Sequence, residues 1–196
     1  MDTKTLSTTI VFAAVTIALN PAITGIGIPA PYAPYLIYQI WEIPIVAAFF
    51  LISRKAALSI TILNAFVLVS FFPGLLPSGP IYNFIAILSM LLGVFMIQKI
   101  LKNKDATKTE KVNQDYTNTK FVTLSTTVGI ILRVVIMTIV NYTVLRLPYP
   151  FGYELEELAI IASLPLTGLF NATLALYTIP LGLFVSKAIN KNLKIK

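Results

Sequence analysis

The chain has 196 residues, 57% of them hydrophobic against 12% charged, and a mean hydropathy of +0.83. A soluble domain of this length carries roughly twice that charge, and the apolar residues run in long blocks, so the composition excludes an ordinary soluble domain and points to an integral membrane protein. With no cysteine and no histidine, disulfides, thiolate chemistry, the usual general base and the commonest transition-metal ligands are also excluded.

A hydrocarbon core about 30 Å thick needs about 20 apolar residues. In chain order, apolar segments lie near 7–28, 36–53, 55–72, 80–101, 120–146 and 165–189. They predict an all-α membrane protein of six transmembrane helices in a single domain, 1–196. The first span is expected to stay as an uncleaved helix, because its apolar stretch runs on into proline-rich sequence without a clean cleavage boundary. The second and third spans are separated only by Arg54-Lys55 and form a tight hairpin. A polar linker, 102–119, joins two three-helix halves.

Where the net charge of +7 falls decides what it means. Lys4 precedes the first span, and Arg54 and Lys55 separate the second from the third. Lys99, Lys102, Lys104, Lys108, Lys111 and Lys120 surround the linker, and Lys187, Lys191, Lys194 and Lys196 close the chain. The other three connections (20–35, 71–80 and 147–164) contain no Lys or Arg. The positive-inside rule then puts both termini and the linker in the cytoplasm. The basic excess is read as topology and contact with anionic lipid, with no nucleic-acid partner.

Polar side chains at membrane depth are costly and raise functional hypotheses. Counting depth by helical rise from the span ends, Glu42, Asn83, Asn141, Tyr142 and Asn171 are all expected within about 10 Å of the outer face. Five polar groups from four helices at one level suggest an outward pocket for a small molecule. The alternative is that the asparagines act as hydrogen-bonding glue between helices. Arg133 lies about 12 Å inward of Asn141. Glu42, the only acid inside a span, is expected too shallow to reach it, so backbone carbonyls or water are expected to satisfy the guanidinium.

Before the second span, NPAITGIGIPAPYAPYLIYQ contains Pro21, Pro29, Pro31 and Pro34, which forbid a continuous helix. Tyr32, Tyr35 and Tyr38 would make this loop either a lid over an aromatic ligand or an interfacial aromatic belt. The segment YELEELAII, before the last span, is read as a short interfacial helix. In the first span Ala14 and Ala18 are four apart, a spacing that admits a closely packed helix from this bundle or from a partner. No phosphate-binding loop motif is present, no metal site is expected, and no enzyme is read here.

Ala14-x-x-x-Ala18, PYLIYQIWEIP (34–44), RVVIMTIVNY (133–142) and LPLTGLFN (164–171) occur in an order that resembles the S components of energy-coupling-factor transporters, most closely the riboflavin-specific type. The resemblance implies six membrane helices in the plasma membrane and capture of riboflavin from outside as a transported ligand rather than a cofactor. It also implies partnership with a transmembrane T component and two ABC-type ATPases. It places Glu42, Asn141 and Asn171 at flavin-contacting positions, Tyr35 and Leu36 in the closing loop, and Ala14 and Ala18 against the T component. The riboflavin pattern often carries a lysine where this chain has Leu174, and tends to have Lys and Asp where it has Ile37 and Gln39. The substrate could therefore be another vitamin or small ligand. A membrane scaffold without a ligand is the alternative from a different class.

Overall fold

The computed structural model describes residues 3–72, 74–106 and 118–193. Seven helices and one hairpin follow in the order α1 (Thr3–Ala18), α2 (Pro21–Thr24), β1 (Ile28–Ala30), β2 (Ala33–Tyr38), α3 (Glu42–Leu51), α4 (Arg54–Phe71), α5 (Gly79–Ala106), α6 (Thr119–Val144) and α7 (Glu157–Leu193). Among the described residues, α4, α5, α6 and α7 are long and apolar enough to cross a membrane, whereas α1 and α3 are shorter apolar helices. Most of the expected linker, 102–119, lies outside the described residues, and α5 runs into its first part.

Three expectations are corrected here. The first span does not run to residue 28. It stops at Ala18, and the Asn20 side chain then accepts from Ala22 N, capping the one-turn α2, which starts on Pro21. A short hairpin is added to the mainly helical chain, as β1 and β2 pair antiparallel, with Ile28 opposite Tyr38 and Pro29 opposite Ile37. Gly27 permits this closure, since a Cβ there would collide with the Ile37 side chain. The second helix therefore begins at Glu42 rather than near 36. The last helix begins at Glu157 rather than 165, so part of the expected interfacial segment is its first turn, and it continues through Pro165 and Pro180.

α3 is the centre of the bundle. It packs on α1, α4 and α7, and every one of its residues except Ile43 is buried. Its sequence EIPIVAAFFL is apolar on all sides, as a helix surrounded by protein requires. Ten residues span about 15 Å, half a hydrocarbon core. After it, Ser53 turns the chain and accepts from Ala56 N at the start of α4.

Glycines set the closest helix contacts. A Cβ on Gly93 of α5 would sit 2.8 Å from the Gly129 Cα and N of α6. On α7, a Cβ on Gly182 would lie 2.5 Å from Val46 Cγ1 of α3. The opposite helix faces expose large apolar side chains, among them Phe66, Ile131, Ile139, Leu176 and Phe184, as surfaces meeting lipid do.

Candidate functional site

On α6, residues Phe121, Ser125, Gly129, Arg133 and Met137 recur every fourth position and are all buried. This spacing puts them in one row, and Arg133 is 1% exposed within it. α3 brings Glu42, fully buried, to the same place. The Glu42 carboxylate accepts from Arg133 Nη1 at 2.5 Å and from Nη2 at 2.8 Å. Arg133 Nε donates to Asn171 Oδ1 of α7 at 3.0 Å, and Asn171 Nδ2 donates to Thr167 O at 2.9 Å. Met90 Sδ of α5 lies 3.6 Å from Nη1. A fork-to-fork guanidinium–carboxylate pair with a third donor engaged is the arrangement that makes a buried charge tolerable.

This pairing overturns the expectation that Arg133 finds only backbone or water, and the depth assigned to Glu42 and Asn171. Six residues of extended β2 cover about 20 Å where six helical residues cover about 9 Å. Counting helical rise from residue 36 therefore set Glu42 too shallow. Asn171 stands fourteen positions into α7, about 21 Å from the helix start. Both groups meet Arg133 well inside the bundle, so neither is available as a free interfacial group, and both Glu42 oxygens are occupied by Arg133.

The other expected residues separate. Asn141 continues the α6 row two turns beyond Arg133, half-buried, with no side-chain hydrogen bond among the described residues. Asn83 stands two turns before Met90 on α5 and is also half-buried without such a bond. α5 and α6 are packed together, so both amides lie on the continuation of faces that carry the polar centre. Tyr142 turns elsewhere. Its hydroxyl donates to Glu157 Oε1 at 2.7 Å, and Arg146 stacks on its ring at 4.4 Å.

The hairpin docks on α7 through Tyr38, whose ring lies 5.2 Å from that of Phe170. Tyr177 of α7 anchors the next residue, donating to Gln39 O at 2.6 Å. The Tyr32 and Tyr38 hydroxyls are 2.7 Å apart, and burial together with the bond to Tyr38 pushes the Tyr32 phenol up to about 12. Tyr35 is 65% exposed and Leu36 half-buried on β2. The connection before α7 is tied to α5: Ser78 Oγ donates to Pro150 O, and the Tyr82 hydroxyl to Phe151 O. Ala14 and Ala18 are both exposed on α1, and Leu174 is buried.

The residue that sequence reasoning left without a partner, Arg133, is the one that joins the site. The available signal was that the chain has one acid and one central arginine at span positions. Two ions of opposite sign in a low-dielectric interior are strongly drawn to pair.

A solved structure described as the S component of a bacterial ECF transporter has the same fold. The likeness has a TM-score of 0.71, covers 97% of this chain and 98% of that one, and carries 23% sequence identity. At that identity the likeness shows the fold alone. No family model matches the sequence, and the search of curated proteins gave no match.

Proposed function

We propose that this chain is the substrate-binding S component of an energy-coupling-factor importer, with riboflavin as its leading ligand. The observation that carries the reading is the shared fold over nearly the full length of both chains. In this reading the chain crosses the plasma membrane six times with both termini cytoplasmic, as its lysine and arginine distribution favours. It captures the ligand from outside and delivers it with a T component and two ATPases, and performs no catalysis itself. The half-buried amides Asn83 and Asn141, the hairpin bearing Tyr35 and Leu36, and the faces around Asn171 form the binding region. The exposed pair Ala14 and Ala18 is the proposed contact with the T component.

The test is spectroscopic. Protein purified in detergent from riboflavin-supplied cells is expected to be yellow, with the bound flavin's fluorescence quenched. A colourless preparation without riboflavin affinity sinks riboflavin as the ligand.

One observation favours a second reading, a scaffold without ligand: Asn171 already bridges α6 and α7 through Arg133. The two readings part at Asn141, which is held by no such bond. If the wild type binds no riboflavin and Asn141→Ala disrupts the bundle, the scaffold is preferred.

A further inference from the structure

The polar centre on α3, α6 and α7 is closed on itself. Both Glu42 oxygens, the Arg133 Nε, Nη1 and Nη2 atoms, and both ends of the Asn171 amide are engaged. One buried polar group next to it in sequence is left over. Trp41, which immediately precedes Glu42 and caps α3, is fully buried, and its Nε1 has no hydrogen-bond partner among the described residues. An indole N–H only donates, and it moves only with its ring. Buried tryptophan N–H groups ordinarily have an acceptor.

The other buried polar atoms without partners are of a different kind. Thr16, Ser125, Thr126 and Thr178 are helical hydroxyls, each free to rotate onto the carbonyl one turn back. Asn64 also has an unpartnered oxygen, but its amide can turn end for end and so fixes no donor direction. Trp41 is thus the fixed donor without an acceptor among the described residues, and in sequence it adjoins Glu42, the group the resemblance assigns to the ligand. Charge narrows the acceptor further. Among the described residues Glu42 and Arg133 are the only buried charged side chains, and they neutralise each other.

We propose that the Trp41 indole N–H is a specificity-determining donor of the binding site. It receives an uncharged acceptor, a carbonyl oxygen or unprotonated ring nitrogen of a flat heterocycle. This rests on the S-component reading above, in which Glu42's own oxygens are unavailable and its neighbour takes over recognition.

Trp41 is the sole tryptophan in the sequence, so the nitrogen-15-labelled full chain in detergent gives a single indole N–H resonance. On saturation with riboflavin that resonance is expected to move downfield, as an indole N–H does when it gains an acceptor. Trp41→Phe is expected to weaken riboflavin binding about tenfold, the scale of one lost hydrogen bond. If riboflavin binds and the wild-type resonance stays where it was, the inference is overturned and the S-component reading survives. Absence of riboflavin binding overturns it together with riboflavin as the ligand. The wild-type spectrum decides the matter even where Trp41→Phe does not fold.

Discussion

Arg133 and Glu42 meet 91 residues apart in sequence, 1% and 0% exposed, through two parallel hydrogen bonds of 2.5 and 2.8 Å. Such a pair contributes little net stability over apolar residues of similar volume, but losing one member leaves an uncompensated charge in the interior. Arg133→Met alone and Glu42→Met alone are each expected to destabilise the protein by about 3–5 kcal/mol. The double variant is expected to be more stable than either single one. Denaturant unfolding in detergent gives all three values, and simple additivity of the single effects would show the two residues to be uncoupled.

The two asparagines of the candidate site should behave differently. Asn171→Ala strips the acceptor from Arg133 Nε, and a buried unsatisfied donor costs about 1–3 kcal/mol. Asn141 is half-buried without a side-chain partner among the described residues, so Asn141→Ala is expected to shift stability by less than about 0.5 kcal/mol. Its effect is expected on riboflavin affinity instead. Thermal unfolding and a binding titration on the same two preparations separate these outcomes.

Gly93→Ala tests the helix contact directly. The three nearest neighbours of the new methyl group would all be backbone, Gly129 Cα and N at 2.8 Å and Val128 C at 2.9 Å, so α5 and α6 must move apart. A loss of about 1–3 kcal/mol is expected for such overpacking. Gly168→Ala in α7 is the control, since its methyl group would touch only Val134 Cγ1 at 3.8 Å. Replacing a mid-helix glycine there is expected to gain up to about 1 kcal/mol.

Tyr177→Phe removes the hydroxyl that fastens Gln39 to α7. The expected cost is about 1 kcal/mol, concentrated in the segment between β2 and α3. Amide exchange should accelerate at residues 37–41 and not in α5 or α6. Uniform acceleration throughout the bundle would instead mark a global loss of stability.

The sequence made α4, α5 and α6 legible, because each is a long unbroken apolar run and the bilayer dimension converts run length directly into a helix. The prolines at 21, 29, 31 and 34 also marked where helix could not continue, but not what would form instead. Ile28 to Tyr38 has no period long enough to announce a strand pair, and its turn depends on Gly27 accepting Ile37. That short extended segment changed the depth of Glu42, which hid its meeting with Arg133. Asn171 was recognised as important for a reason that does not separate its roles. An amide buried between helices has the same one-letter signature whether it binds a ligand or steadies an arginine.

The central position of α3 has a consequence for how the chain is made. At ribosomal speeds of about 5–20 residues per second, the 91 residues between Glu42 and Arg133 take about 5–18 seconds to appear. Throughout that interval the nascent first half carries an acid with no counter-ion, on a helix half as long as a bilayer core is thick. α3 cannot settle as a lone span in that state. It stays at the surface, or enters as a hairpin with α4, until α6 arrives with the guanidinium. Maturation of the first half of this protein in the membrane therefore waits on synthesis of the second.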